Sequence, residues 1–429
     1  MKGFLAAVLR RLARAILAKY RPTIIGITGS VGKTSTKEAV FCVLRPHTSV
    51  RRNLKSYNNA FGIPLTIIGE ESGYRSPFRW AGILLKGIRL SVMVDATYPK
   101  TLVLEMGVDR PGEMADHIAL APCAIAVITA VAAVHTEYFG TIENVLEEKA
   151  AILESLPANG TAVLNADDEL VRSLASRVAG RRVVTFGFSP DADVRAEAVS
   201  YATAQPSNLP TGLTFRLCSG GASIAATLHG LLGRHQVASA LAAAAVGLSS
   251  GMTLPAIAGA LQHFEGPPGR MRLLPGIKRT MLIDDTYNAS ARSTLAALET
   301  LKEIPGYGRR IACLADMAEL GQYSESGHAE VGERVAELSL DLLVTVGALG
   351  REIANAARRH GMPADKVFSF DQASDAGRFL QERMRQNDCV LVKGSQSIRM
   401  ERIVKEVMAE PERAADLLVR QEPSWLTKP

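Results

Sequence analysis

The sequence predicts an α/β protein in which a central doubly wound sheet domain is followed by a smaller Rossmann-like domain. An apolar run at residues 24–27 passes through a glycine-rich turn into residues 35–44, which contain few helix breakers. That order predicts a strand, a tight turn and a helix. Short apolar strands then alternate with helical stretches along most of the chain. The Pro- and Gly-rich segment 266–270 interrupts this alternation and predicts a domain boundary.

The chain has 429 residues, which is enough for two or three domains. We expect an N-terminal basic amphipathic helix at 1–21, a central domain at 22–268 and a C-terminal domain at 269–429. Hydrophobic residues make up 47% and charged residues 21%, which is typical of a soluble α/β protein. The net charge of +6 fits a polyanionic ligand, a membrane surface or a nucleic acid, and distinguishes none of them.

The five cysteines form no Cys-x-x-Cys pair, so the sequence predicts no zinc ribbon and favours a reducing compartment. The uncharged stretches 118–134 and 235–263 contain proline, so no transmembrane helix is predicted. Arginines interrupt the apolar part of the N-terminus, which is unlike a signal peptide. We therefore expect a cytoplasmic protein.

Residues 28–34 read Thr-Gly-Ser-Val-Gly-Lys-Thr between the first strand and its helix, the context of a P-loop-type domain. Backbone N–H groups and the helix dipole at such a turn bind phosphate. Lys33 can reach terminal phosphates, and the Thr34 hydroxyl can bind Mg²⁺. The alternative is an ordinary strand-to-helix turn, because Ile27 replaces the first glycine of the full consensus. The expected phosphate-binding set is Gly29, Ser30, Val31, Gly32, Lys33, Thr34 and Ser35.

Two segments combine apolar and basic residues without an acid. Residues 2–20 have a helical pattern with an apolar face and an arginine-rich face. This pattern fits either a helix packed on the core or an interfacial membrane helix. Residues 76–94 form a second apolar stretch, which carries Arg79, Lys86 and Arg89.

Several polar residues follow predicted strands or turns. Glu105 ends the apolar run 102–104, and a carboxylate at the carboxyl end of a strand can bind a ligand or the metal of a nucleotide. A lone glutamate there is otherwise simply solvated. Asn58 and Asn59 lie in a predicted loop, which can also be a plain turn. Lys149 lies on a helix that begins near residue 142.

Later strands complete the two predicted sheets. The central domain has further strands at 124–129 and 183–186, followed by a polar stretch to about residue 210 that we expect to form peripheral antiparallel strands. An Ala-rich helix opened by residues 233–236 closes this domain. The C-terminal domain has strands expected at 281–284, 311–314, 342–346, 367–370 and 390–392, with helices between them.

Together these motifs resemble the Mur ligase superfamily, and within it the branch that adds D-alanyl-D-alanine to a muramoyl peptide. The resemblance extends from residue 23 to about residue 407. The segments that carry it are 28–34, 58–65, 105–107, 111–113, 135–140 with Lys149, 269–270, 284–289, 316–321, 393–395 and 399–401.

The resemblance implies an ATP- and Mg²⁺-dependent ligase that activates a carboxylate as an acyl phosphate and forms an amide with an incoming amine. It implies that Thr34 and Glu105 bind one Mg²⁺, and that His135 and a carbamylated Lys149 bind a second. Catalytic roles then fall to Lys33, Glu105, His135 and Lys149. Asn58 and Asn59 are expected at the substrate. The other implied nucleotide contacts are His235, Gln236, Arg270, Asp285, Tyr287 and Asn288.

The chain departs from the family pattern at three places. The usual Asn-Asn-Glu is Asn58-Asn59-Ala60, and the usual His-Asn is His235-Gln236. Only about twenty residues precede the nucleotide loop, so we expect the UDP-binding N-terminal domain to be lacking. The basic segments 2–20 and 76–94, packed together near Asn58 and Asn59, would then form a reduced substrate platform or rest on an anionic membrane. Alternatively both segments cap the sheet, and the UDP part is left in solvent or bound by a partner chain.

Two alternatives remain open at this stage. One is a Mur-like ligase that uses another carboxylate and amino acid, or a lipid-linked precursor. The other is a non-catalytic ATP-binding protein. The expected partners are a muramoyl-peptide precursor and D-alanyl-D-alanine or a similar amine, without nucleic acid.

Overall fold

The computed structural model describes residues 2–54, 57–132, 139–178, 180–204, 209–318 and 320–426, apart from the side chains of Lys2 and Gln322. The chain divides into two compact units. The first comprises Met1–Val199, Phe215–Thr227 and His235–Phe264, and the second comprises Ser200–Thr214, Leu228–Arg234 and Glu265–Pro429. The three domains expected from the sequence stay a prediction.

A nine-stranded sheet has the order β2-β3-β1-β4-β5-β6-β7-β8-β9. From β2 to β6 all neighbours pair in parallel. Helices cover these parallel strands, so β1, β3 and β4 are almost continuously apolar and buried. The strands are β1 Thr23–Thr28, β2 Val50–Arg52, β3 Thr101–Glu105, β4 Ile125–Ile128, β5 Thr161–Asn165, β6 Arg182–Gly187, β7 Val194–Ala204, β8 Leu209–Ser219 and β9 Ala222–His229.

Nine α-helices accompany these strands in the described residues. They are α1 Lys2–Tyr20, α2 Lys33–Leu44, α3 Gly62–Ile68, α4 Pro77–Val92, α5 Glu113–Leu120, α6 Ile142–Ala150, α7 Glu169–Ser173, α8 Arg234–Ser249 and α9 Leu254–Leu261. Short 3₁₀ segments occupy Ala151–Ser155 and Leu174–Val178.

The prediction that the peripheral strands are antiparallel is wrong for the first pair, β6 and β7. β7 joins β6 in parallel, through the pairs Phe186–Val194 and Gly187–Arg195. The intervening turn is held by Asp193, whose carboxylate accepts hydrogen bonds from both N and Oγ1 of Thr185, each at 2.7 Å. This side-chain link brings the chain back beside β6 without reversing its direction.

The helix expected at residues 2–20 is present as α1. Its apolar face packs in the core, where Leu9, Ala13 and Ile16 are fully buried. The second apolar segment forms α4. Ser76 accepts a hydrogen bond from Arg79 N at 3.3 Å, and proline follows at the first helical position, which defines the start of that helix.

The second sheet has the order β10-β11-β15-β12-β13-β14. All neighbours are parallel except β10 and β11, which form an antiparallel hairpin. The five strands expected here are confirmed, and β10 was missed. The strands are β10 Arg272–Gly276, β11 Thr280–Asp285, β12 Arg310–Ala315, β13 Leu342–Val346, β14 Val367–Phe370 and β15 Cys389–Lys393.

Helices connect or follow the strands of this second sheet. They are α10 Ala291–Glu303, α11 Ser324–Glu337, α12 Gly350–Arg359, α13 Ala373–Arg383, α14 Glu401–Val407, α15 Ala414–Leu417 and α16 Pro423–Leu426. The 3₁₀ segments here are Ile277–Arg279, Gly321–Tyr323, Ala364–Lys366, Gln396–Ile398 and Pro411–Arg413.

None of the helices described is both long enough and apolar enough to cross a membrane. All five cysteines are buried and free.

Candidate active site

The glycine-rich turn lies between β1 and α2, as predicted. Gly29 has φ +145°, and a Cβ there would lie 2.1 Å from Thr129 Oγ1, so the position requires glycine. Ser30 N donates to Ala130 O at 2.7 Å, and Thr129 Oγ1 donates to Val31 O at 2.6 Å. The end of β4 therefore holds the turn, whose last glycine precedes the first residue of α2.

Lys33 begins α2 and lies over the turn. Its Nζ donates to the carbonyl oxygen of Gly29 at 2.6 Å and to that of Ser30 at 3.1 Å. The cation is thereby held beside the backbone groups that bind phosphate in such turns. The positive charge of Lys33 and the N-terminus of α2 therefore lie side by side.

Glu105 reaches this turn from the neighbouring strand. Strand register pairs Ile27 with Glu105, which brings the carboxyl end of β3 beside the start of the turn. Thr34 Oγ1 donates to Glu105 Oε1 at 3.3 Å. The two residues expected to share a metal therefore lie together.

The buried Glu105 carboxylate has oxygen atoms that can bind a metal ion. It is 3% exposed, and its Oε2 accepts no hydrogen bond from the described residues, while Lys37 Nζ lies 3.6 Å away. A hydroxyl and a carboxylate are hard oxygen donors of the kind Mg²⁺ prefers, so the donor set fits that ion. Among the described residues no three His, Cys, Asp or Glu side chains form a metal-binding group.

The two asparagines have different surroundings. Asn58 Nδ2 donates to Glu105 Oε1 at 3.2 Å, so this side chain belongs to the carboxylate site. Asn59 Oδ1 accepts from the backbone N of Phe61 and of Gly62, at 3.2 and 3.0 Å. Asn59 thus supports the turn before α3.

Lys149 is a buried lysine in the last turn of α6 and is 2% exposed. Burial, and to a lesser degree the positive charge of Lys33, lower the pKa of Lys149 to about 7 against the opposing effect of Asp109 and Glu148. A large share of this side chain is therefore the neutral amine near neutral pH. His135, the residue expected beside it, lies outside the described residues.

The second unit assembles another group of the expected residues around the end of β11. Lys393 Nζ donates to Asp285 Oδ2 at 2.6 Å and to Asn288 O at 3.0 Å. The Arg270 guanidinium stacks over the Tyr287 ring at 4.0 Å from the ring centroid. Backbone N of Tyr287 donates to Gly269 O at 3.0 Å, which fixes these two segments together.

Asp284 anchors this group from inside the core. Its carboxylate accepts from Gly269 N at 3.0 Å and from Thr286 Oγ1 at 2.6 Å. Burial raises the pKa of Asp284 to about 6, and the Asp285 charge acts in the same direction. Arg420 donates to the carbonyl oxygens of Thr286 and Tyr287, and so supports the turn that carries Asp285.

His235 and Gln236 occupy the first turn of α8, where His235 is exposed and Gln236 is fully buried. Their local placement agrees with the helix predicted from the Ala-rich sequence.

Sequence reasoning missed several residues that position this site. Asn53 is fully buried; its Oδ1 accepts from Glu105 N at 2.8 Å and its Nδ2 donates to Glu105 O at 3.1 Å. Lys37 is also fully buried, and its Nζ lies 3.3 Å from Glu38 Oε1. A lysine one helical turn after Lys33 was a signal available in the sequence. Arg420 gave no such signal, because the carbonyl groups of Thr286 and Tyr287 that it binds lie more than 130 residues away in the chain.

The fold and the glycine-rich turn define an α/β protein with a strand–turn–helix of the phosphate-binding type, and comparisons with known proteins make the class specific. The Mur ligase middle domain matches residues 87–247, and the Mur ligase glutamate ligase domain matches residues 269–396. The chain belongs to the Mur ligase family, whose members are ATP-dependent enzymes that form amide bonds between an acid and an amino acid.

Curated relatives resemble nearly the whole chain. A UDP-N-acetylmuramoyl-tripeptide–D-alanyl-D-alanine ligase of Escherichia coli K12 is 33% identical over 92% of this chain and 78% of the relative. The Bacillus subtilis 168 ligase of the same name is 29% identical over 94% of this chain and 79% of the relative.

Solved structures give the same result. MurF from Acinetobacter baumannii has a TM-score of 0.77 at 25% identity, over 92% of this chain and 79% of that one. MurF from Thermotoga maritima in complex with ADP has a TM-score of 0.74 at 26% identity, over 95% of this chain and 84% of that one.

Proposed function

We propose that the protein joins D-alanyl-D-alanine to the terminal carboxylate of a UDP-linked muramoyl tripeptide and converts ATP to ADP and phosphate. The names of relatives that match over 92–94% of the chain support this substrate pair. The observation that carries the chemistry is the group formed by Lys33, Thr34 and Glu105, with the buried Lys149 amine electrostatically coupled to Lys33.

The reaction has two steps. An oxygen of the tripeptide carboxylate attacks the γ-phosphorus of ATP, the bond to the β-phosphate oxygen breaks, and ADP leaves. The amine of D-alanyl-D-alanine then attacks the acyl carbon. The bond from that carbon to the phosphate oxygen breaks, the nitrogen loses a proton, and an amide and phosphate form. The protein contributes mainly position and charge, as in other phosphoryl transfers.

The nucleotide turn binds the phosphates in this proposal. Residues Gly29 to Lys33 surround the β- and γ-phosphates and bind them through their backbone N–H groups, apart from that of Ser30, which donates to Ala130 O. Lys33 Nζ moves from the carbonyl oxygens that it now contacts to the γ-phosphate. Arg270 contacts the γ-phosphate, and Asp285 binds the ribose. The remaining proposed nucleotide contacts are Tyr287, Asn288, His235 and Gln236.

Thr34 and Glu105 hold a first Mg²⁺. Thr34 Oγ1 and the buried Glu105 carboxylate, oriented by Asn58 and Asn53, are the oxygen donors that this chain supplies. When bound, Mg²⁺ neutralises charge that develops on the phosphate oxygens. Asn58 also faces the acceptor substrate, and Asn59 keeps the turn in place.

Lys149 supplies oxygen donors for a second Mg²⁺ once its amine has added CO₂. The nitrogen attacks the carbon of CO₂, a proton leaves the nitrogen, and a carbamate results. A lysine with the ordinary pKa of about 10.4 is almost entirely protonated at neutral pH and cannot do this. The lowered pKa of Lys149 removes that obstacle. Together with His135, the carbamate binds a second Mg²⁺ in this proposal.

The test is ADP release measured with each substrate alone and with both. We expect turnover only when the UDP-muramoyl tripeptide and D-alanyl-D-alanine are both present. Lys33→Ala should abolish it, because the γ-phosphate loses its cation. Stability should change by less than about 1 kcal/mol, since Lys33 is half-buried at the first residue of α2. Lys405→Ala, at an exposed lysine in α14, is the matched control and should keep wild-type turnover.

Turnover of ATP without either substrate, or normal turnover by Lys33→Ala, would contradict the proposal. ADP release that requires the tripeptide and another amine, instead of D-alanyl-D-alanine, would support the ATP chemistry but contradict the proposed amine substrate.

A further inference from the structure

α4 carries two apolar faces, and packing explains one of them. Ile83 and Leu90 are 4% and 3% exposed, and a Cβ on Gly87 would lie 2.9 Å from Leu12 Cδ1 of α1. This inward face joins the core of the first unit. A helix that served only the core would carry polar residues on its other side.

The outward face of α4 is apolar as well. Five residues spaced three and four positions apart form one exposed stripe along the helix, and four of them are large. Their exposures reach 87% at Phe78, 66% at Leu85 and 74% at Val92. Met93 and Val94 continue the exposed apolar surface beyond the helix. The stripe consists of Phe78, Ala81, Leu85, Ile88 and Val92.

α1 adds to the same surface. Leu12 contacts the Gly87 position, Lys19 Nζ donates to Leu90 O at 3.3 Å, and Tyr20 OH donates to Met93 O at 3.0 Å. Residues later in α1 contact residues later in α4. The two helices therefore run parallel, and their N-termini lie at the same end. At that end of α1, Phe4 is 78% exposed.

The charged residues within the two helical segments are all basic. Neither residues 2–20 nor residues 72–94 contain an acidic residue. Arg75 and Arg79 are exposed at the start of α4, and Arg11 and Arg14 are exposed on α1. Of the acids that border the second segment, Glu70 pairs with Lys86 and Asp95 with Arg89, and Glu71 is exposed beside Ser72.

We propose that the outward face of α4, together with the first turn of α1, docks this protein on an anionic lipid bilayer. Large apolar side chains flanked by arginines match the boundary between acyl chains and negatively charged headgroups. Trp80, half-buried with its Nε1 donating to Tyr74 O at 3.1 Å, adds an amphipathic ring of the type common at membrane interfaces. The helix lies along the surface, because neither α1 nor α4 can cross a bilayer.

The test is flotation of the full chain with vesicles of phosphatidylglycerol and phosphatidylcholine in equal parts, and with vesicles of phosphatidylcholine alone. We expect binding to the anionic vesicles at low salt, a large loss of binding at high salt, and little binding to the neutral vesicles. Absence of flotation with anionic vesicles at low salt would overturn the proposal.

Variants separate this surface from the rest of the molecule. Leu85→Glu combined with Val92→Glu should lower the partition coefficient at least about tenfold, because both carboxylates lie on the exposed stripe. Leu426→Glu, at an exposed leucine of the second unit, should leave binding unchanged. Wild-type flotation by the double variant would overturn the proposal.

A second pair of variants tests the charges without touching the apolar residues. Arg75→Glu with Arg79→Glu should weaken binding, whereas Arg172→Glu with Lys405→Glu changes the net charge equally and should not. Thermal unfolding checks that each variant is folded. If Leu85→Glu with Val92→Glu does not fold, flotation of Arg75→Glu with Arg79→Glu tests the proposal instead. A dimer in sedimentation velocity that Leu85→Glu dissociates would assign the face to a second copy and overturn the proposal.

Discussion

Lys149 is the residue whose environment departs most from that of an ordinary lysine. It is buried near Lys33, and its pKa of about 7 leaves the amine free to react with CO₂ at slightly alkaline pH. We expect a carbamate signal in carbon-13 NMR spectra after exchange with labelled bicarbonate, and we expect it to disappear as the pH falls below about 7 because the ammonium cannot react. Removal of CO₂ should reduce turnover reversibly.

The controls for this prediction use the same position. Lys149→Ala should lack the signal, and Lys149→Arg should lack both signal and turnover although it keeps the positive charge. Lys405→Ala should keep both. A signal that persists in Lys149→Ala would show that another amine carries the carbamate.

Asp284 provides a pH-dependent contribution to stability. Burial raises its pKa in the folded protein to about 6, above the unfolded value of 3.8. The folded state therefore holds a proton that the unfolded state has released, so the stabilising contribution is complete below the unfolded pKa and disappears as the pH rises through 6. From about pH 5 to about pH 7, the free energy of unfolding should fall by about 1 kcal/mol through this group.

Urea unfolding at the two pH values measures this effect. Asp284→Asn cannot titrate, so its free energy of unfolding should lack this decrease, while Glu154→Gln, at an exposed glutamate, should retain it. An equal pH dependence in wild type and Asp284→Asn would contradict the assignment.

At the scale of elements, the turn between β1 and α2 depends on the end of β4. Gly29→Ala would place a Cβ 2.1 Å from Thr129 Oγ1 and 3.0 Å from Ala130 O. The backbone φ of +145° at this position is one that residues other than glycine rarely adopt. We expect loss of ATP binding in a calorimetric titration. Gly82→Ala, where a Cβ meets nothing within 4 Å in α4, should instead stabilise the protein by about 0.5–1 kcal/mol.

Normal ATP affinity in Gly29→Ala would show that the turn adjusts without its contact to β4. A destabilised Gly82→Ala would indicate that α4 is not helical at that position.

Elements with a strong local pattern were predictable from the sequence. The first strand and α2 followed from an apolar run and a glycine-rich turn, and α1 followed from its 3.6-residue periodicity. β10 was missed because its five residues, Arg-Leu-Leu-Pro-Gly, contain a proline, which an antiparallel edge strand tolerates. The parallel pairing of β6 and β7 depends on Asp193 and Thr185, and no periodicity signals such a contact.

The site shows the same division. Glu105 was predictable because the carboxyl ends of parallel strands lie at one edge of the sheet. Asn53 was not, since it acts on the backbone of Glu105 from more than 50 residues away. The exposed face of α4 was also unpredictable, because apolar spacing alone does not say which side of a helix the core covers.

At the scale of the whole molecule, each compact unit contributes its own part of the proposed machinery. The first unit holds the nucleotide turn, Glu105 and Lys149, and the second holds Arg270 and Asp285. Each set is fixed internally by buried side chains, such as Asn53 in the first unit and Lys393 in the second.

The most direct test of the central claim follows oxygen from the acceptor carboxylate into phosphate. The UDP-muramoyl tripeptide is labelled with oxygen-18 at its terminal carboxylate and converted with ATP and D-alanyl-D-alanine, and the released phosphate is analysed by mass spectrometry. Since the acyl carbon–oxygen bond breaks in the second step, each phosphate should carry one labelled oxygen. Unlabelled phosphate formed together with the amide product would contradict activation of the carboxylate as an acyl phosphate.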